Sequence, residues 1–132
     1  MRQRIRKIDR ILKVQQHLQR EAELKLSSLE RKASDLKIAQ ETLIRTMNDH
    51  ETLHGIFIDV AAKRLQVLAS EASNVDKAKA VQKTVTVDRA MQAKRVEKML
   101  AGLREQERRE VEKRDLASIL EMLSKGKSAS FP

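Results

Sequence analysis

The chain has 132 residues, 40% hydrophobic, 36% charged and only 2% aromatic, with three Gly, one Pro and no Cys. Two Phe and no Trp or Tyr cannot fill the thick core of a compact globule, which argues against a rounded enzyme fold. Without cysteine there is no disulfide, iron–sulfur cluster or thiolate zinc site, as suits a reducing compartment. A net charge of +9 leaves open an anionic partner of some kind.

Abundant Ala, Glu, Lys, Leu and Arg beside few Gly and Pro is the composition of long helices in a coiled coil, and strands are nearly excluded. Starting at Ile5 and stepping alternately three and four residues gives Ile5, Ile8, Leu12, Gln15, Gln19, Ala22, Leu26, Leu29, Ala33, Leu36, Gln40, Leu43, Met47, His50, His54, Phe57, Ala61, Arg64 and Leu68. Of these 19 positions 13 are apolar, so one heptad register predicts a first helix over about residues 3–70. The first fourteen residues hold six basic side chains against a single Asp9. The apolar periodicity runs on from them without a break, which argues against a mitochondrial presequence.

The favoured break is residues 70–76 (SEASNVD), where Ser73 or Asn74 can cap a new helix with Asp76 near its positive end. A turn at about 71–75 leads to a second helix over about 76–125, carrying Ala78, Val81, Val85, Gln92, Val96, Met99, Leu103 and, after a charged stretch, Leu116, Ile119, Leu120 and Leu123. Gly126 is a natural stop, and the tail 126–132 is expected to fray. An alternative break near Asn48-Asp49 or Gly55 gives a three-helix arrangement. It ranks second because the seam passes Gly55 in phase, and one Gly costs a helix only about 1 kcal/mol.

The expected fold is all-α: two long helices forming an antiparallel coiled-coil hairpin, as a single domain over 1–132. With the turn near residue 73, facing residues sum to roughly 146. Leu123 then lies near Glu23, and residues before about Leu18 overhang with an apolar stripe that needs a partner. Residues 104–115 (REQERREVEKRD) offer Glu105 to Arg109 and Glu110 to Arg114 at i,i+4, pairs that hold an exposed helix without a buried face.

Charge is unevenly spread. Residues 1–25 carry net +5, residues 26–75 net −1 and residues 76–132 net +5. A hairpin brings the two basic terminal portions to one end. Such an end suits nucleic acid, anionic lipid or an acidic protein surface, and net charge does not choose among them. There is no aromatic stacking platform, zinc module or basic-region zipper for specific nucleic-acid reading. No run approaches the roughly 20 apolar residues of a transmembrane segment, and no apolar signal region follows the basic start.

His50-Glu51-Thr52-Leu53-His54 matches H-E-x-x-H, the zinc-protease pattern in which two imidazoles bind metal and the Glu activates water. Phe57 and Val60 stand where the longer patterns require Gly and His, and a two-helix hairpin has no substrate cleft. The favoured reading makes His50 and His54 polar seam residues that specify register. The expectation is no enzyme, no metal and no cofactor. The alternative reading joins the two histidines with Met47, Phe57 and Ile58 in an adaptable partner-contact patch.

The opening RIRKIDRILKVQQHLQREAELKLSSLERK, the middle turn, the charged second helix and the tail together resemble the FliJ/YscO family, small coiled-coil proteins of flagellar and virulence type III secretion systems. The resemblance spans nearly the whole chain and rests on pattern. It implies a hairpin similar to the rotor stalk of rotary ATPases, at the cytoplasmic inner face of the export apparatus. The implied partners are the hexameric export ATPase, the export-gate membrane protein and export chaperones. Arg2, Arg4, Arg6, Lys7 and Arg10, with Ile5, Ile8 and Leu12, become the candidate ATPase contact. Flagellar members carry gate-contacting tyrosines in the first helix, and this chain has none. Leu43, Met47, His50, His54 and Phe57 are the substitute gate contact. The competing reading is a generic self-associating coiled-coil interaction protein.

Overall fold

Apolar side chains spaced three and four apart place a stripe along one side of a helix, and a long helix with one stripe must lay it on another. The computed structural model, which describes residues 1–49 and 55–129, contains two such helices. They are α1, Arg2–Asp49, and α2, Gly55–Ala129, with no strand among the described residues. The fold is an all-α antiparallel helical hairpin.

Along α1 the buried or half-buried positions are 5, 8, 12, 15, 19, 22, 26, 29, 33, 36, 40, 43 and 47, together with a few flanking ones. These are the heptad positions expected from the sequence. Along α2 the matching line runs 61, 65, 68, 72, 75, 79, 82, 86, 89, 93, 96, 100, 103 and 107, again in alternating steps of four and three. The most deeply buried side chains are Leu and Ala, with one Val: Leu12, Ala22, Ala61, Leu68, Val75, Ala93, Leu100 and Leu103. The alanines let the two backbones approach, and the larger residues fill the seam between them.

Contacts group the chain into two compact units, each built from both helices. One unit is Met1–Gln16 with Gln92–Pro132, and the other is His17–Met91. In the second unit Gln82 reaches the Ala22 carbonyl. In the first, Arg104 meets Asp9 and Arg2 meets Glu107, each at 3.7 Å. The numbers of these partners sum to between 104 and 113, not to 146.

Four expectations are thereby corrected. The turn at 71–75 does not exist, because α2 passes through Ser73 and Asn74 as continuous helix. Leu68, Ala72 and Val75 keep the seam intact there, and burying that line outweighs caps worth about 1 kcal/mol. The chain reverses instead between Asp49 and Gly55, near the alternative break, yet it makes two helices and not three. Seam positions 50 and 54 are both His, so the apolar line is interrupted just where Asn48, Asp49 and Gly55 are poor helix formers.

The third correction concerns the overhang. Ile5 and Ile8 are half-buried and Leu12 is 8% exposed, so the apolar side of residues 5–18 packs on α2. Leu123 does not lie near Glu23. The start of the chain, Met1 to Gln3, stands level with Glu107, Glu110, Val111 and Arg114, and α2 continues past it. The overhang belongs to the second helix. Residues 126–129, expected as frayed tail, continue α2.

Candidate interaction surface

The basic residues of the chain are not shared evenly between the two units. Residues 1–16 and 92–132 hold sixteen Lys and Arg against eight Asp and Glu, net +8, while residues 17–91 hold twelve against eleven, net +1. The first unit thus carries nearly the whole excess. Its seam takes Ile5, Ile8 and Leu12 of α1 and leaves Ile11 and Val14 exposed beside the basic residues: Arg4, Arg6, Lys7 and Arg10 all face outward. Arg2 lies 3.7 Å from Glu107, and Asp9 is shared between Lys13 at 3.4 Å and Arg104 at 3.7 Å. Such exposed pairs are worth little to stability, but they fix where the cations stand.

Further along the same unit, α2 is held by its own charges. Arg108 donates to Glu105 at 2.7 and 3.1 Å and to Glu112 at 3.0 Å, while Arg109 lies 3.3 Å from Glu105. The bond from Arg108 holds the Glu105 carboxyl below its ordinary value, with the charges of Arg108 and Arg109 assisting. The same pairing raises the Arg108 guanidinium. These i,i+3 and i,i+4 contacts keep α2 helical where it runs beside the start of α1 and beyond.

Beyond Arg114 no described α1 residue faces α2. Leu116, Ile119, Leu120 and Leu123 occupy one helical face and are 54–60% exposed, against 3% for Leu100 in the seam. This bare stripe was missed from the sequence. Its residues were recognisable, but the expected pairing set them against the middle of α1.

The proposed ATPase-contact residues therefore fall into two groups. Arg2, Arg4, Arg6, Lys7 and Arg10 are brought together on the outside of one unit, whereas Ile5, Ile8 and Leu12 are turned into its seam. Of the proposed gate contacts, Leu43 and Met47 are half-buried in the seam of the other unit and Phe57 is 42% exposed. His50 and His54 lie outside the described residues. So does the H-E-x-x-H reading that rests on them. The adaptable surface that is presented near there is Ile44, Phe57, Ile58 and Val60, all exposed.

Among the described residues no three His, Asp or Glu side chains are grouped to hold a metal, and no helix is long and apolar enough to cross a membrane. The grooves between the helices are open and shallow, such as the one lined by Leu18, Ala22, Leu24, Gln82 and Val85. The arrangement offers surfaces for contact. Compared with protein-family models, curated proteins and solved structures, the chain finds no match in any of the three.

Proposed function

We propose that this chain is a non-enzymatic component of a flagellar or type III secretion export apparatus, acting as an ATPase-associated stalk and chaperone-cycling factor. It works in the cytoplasm at the inner face of the apparatus, against the hexameric export ATPase, the export-gate membrane protein and export chaperones. The observation that carries the reading is the concentration of net +8 in one unit of an antiparallel hairpin, with Arg4, Arg6, Lys7 and Arg10 outward. The sequence pattern that resembles FliJ/YscO proteins adds to it.

The mechanism follows from the physics of a charged hairpin against a ring. Long-range attraction speeds docking on an acidic surface and weakens as salt screens it. A hairpin seated asymmetrically shifts the populations of ring states only through contacts that differ between those states. It makes and breaks no bonds itself.

With Ile5, Ile8 and Leu12 used in the seam, the ATPase contact rests on the outward arginines and Lys7. The test is ATP hydrolysis by the export ATPase with the chain added. Stimulation by the natural chain, lost when Arg4, Arg6 and Lys7 are changed together to Glu, supports the reading. Equal stimulation by that triple variant removes its electrostatic part, and no binding of the natural chain removes it altogether.

A further inference from the structure

The stripe on the second helix has no counterpart among the described residues. Leu116, Ile119, Leu120 and Leu123 stand at i, i+3, i+4 and i+7, the spacing that elsewhere in α2 is buried on α1, and Met122 beside them is 72% exposed. The side chains around the stripe do not share the strong positive excess of their unit. Residues 112–127 hold Lys113, Arg114, Lys125 and Lys127 against Glu112, Asp115 and Glu121, a nearly balanced set. A strongly anionic covering surface finds little complement there.

Laid antiparallel on itself, this segment sets Leu116 against Leu123 and Ile119 against Leu120. A parallel pairing instead brings the cationic starts of the two first helices side by side.

We propose that a second copy of this chain covers the stripe, forming a two-fold antiparallel dimer through residues 112–127 of the second helix. The contact is isologous: each residue meets its counterpart reflected about the midpoint between Ile119 and Leu120. The four stripe residues and Met122 of the two copies bury on the order of 1,000 Å² in total, at the lower edge of specific interfaces. The dimer is therefore weak, with a dissociation constant in roughly the micromolar range.

Overlap of sixteen residues keeps the cationic starts of the two first helices about 24 Å apart, more than two screening lengths at physiological salt. Salt therefore strengthens this association by screening the repulsion that remains. That is the reverse of its effect on docking to an acidic partner. The inference goes beyond the stalk reading and does not depend on it, because every measurement below uses the chain alone.

The test is sedimentation equilibrium of the full chain over about 1–500 µM, at low and physiological salt. The expected result is a monomer–dimer equilibrium tightened by salt and weakened at least about tenfold by Leu120→Lys, with helicity by circular dichroism unchanged because Leu120 touches no described α1 residue. The natural chain has no cysteine. A mixture of the Leu116→Cys and Leu123→Cys chains is expected to cross-link on mild oxidation several-fold faster than either alone.

A monomer at every concentration overturns the proposal. So does a dimer insensitive to Leu120→Lys, or preferential cross-linking of the Leu116→Cys chain with itself. Stripe-dependent sedimentation of a monomeric chain with phosphatidylserine-containing vesicles assigns the stripe to lipid and overturns it as well.

Discussion

Gln82 reaches across from α2 to donate a hydrogen bond to the backbone carbonyl of Ala22 at 3.1 Å. The Thr86 hydroxyl shares its single proton between the Gln82 carbonyl at 2.8 Å and this same Ala22 oxygen at 3.3 Å. The small Ala22 side chain lets α2 come close enough for both. This cross-helix contact sets which residues face each other: it places the reversal of the chain midway between 22 and 82, between the end of α1 and the start of α2. Gln82→Ala is expected to leave the seam packed yet lower stability by about 1 kcal/mol. Chemical denaturation measures it.

A proline discriminates between a turn and a helix interior. Ala72→Pro removes a backbone donor from the middle of α2 and is expected to cost about 3 kcal/mol or more. Were residues 71–75 a turn, the same change would cost little. Thermal unfolding followed by circular dichroism separates the two cases.

Much of the fold was legible in the sequence because the heptad line of α1 is regular. The positions from Ile5 to Met47 reached by alternating steps of three and four are the ones buried or half-buried. The reversal was not legible from that line. Periodicity runs on from Phe57 to Leu68 as it does from Ile5 to Met47, and a seam in phase on both sides of a break does not mark it. Ser73, Asn74 and Asp76 are good capping residues, but a cap acts only where a helix starts, and Leu68, Ala72 and Val75 hold α2 against α1 across that point. The more telling signal was the pair of polar seam positions, His50 and His54, beside Asn48, Asp49 and Gly55. Misplacing the reversal by about twenty residues moved the overhang from one helix to the other. It assigned Ile5, Ile8 and Leu12 to a partner, and it gave the Leu116 stripe a covering that no described α1 residue provides. The basic cluster survived this error because Arg4, Arg6, Lys7 and Arg10 lie off the seam in either pairing.

Gln15 occupies a seam position, and its Oε1 is buried with no hydrogen-bond partner. Gln15→Leu removes that unsatisfied oxygen and adds apolar contact, so it is expected to stabilise the hairpin by about 1 kcal/mol. A polar residue in a seam also discourages slipped pairings, so the variant is expected to be less selective in register. Melting temperature reports the first effect. Cysteine pairs placed at native and shifted partners report the second.

Two leucines on α2 differ only in what lies opposite. Leu100 is 3% exposed and Leu120 is 58% exposed. Leu100→Ala is expected to destabilise the monomer by about 2–4 kcal/mol, and Leu120→Ala by less than about 0.5 kcal/mol. Denaturation at concentrations well below any self-association makes the comparison.

The Glu105 network gives a pH dependence of known sign. Its carboxyl is lowered in the folded chain, so the folded state favours the charged form. The contribution is complete above the ordinary carboxylate range and is lost as pH falls through the lowered value. Partial exposure of the carboxyl to water, 43% for its side chain, makes the effect small. Glu105→Gln is expected to flatten the acid side of the stability curve slightly and to leave the neutral side nearly unchanged in slope, as read from melting temperature against pH.

The stalk proposal stands or falls on the rate of ATP hydrolysis by the export ATPase as the chain is added at rising salt. Stimulation is expected to decline with salt and to disappear when Arg4, Arg6 and Lys7 are all replaced by Glu, in a variant whose helicity is intact. Stimulation indifferent to both salt and charge reversal, or a natural chain that neither binds nor stimulates, rules the proposal out.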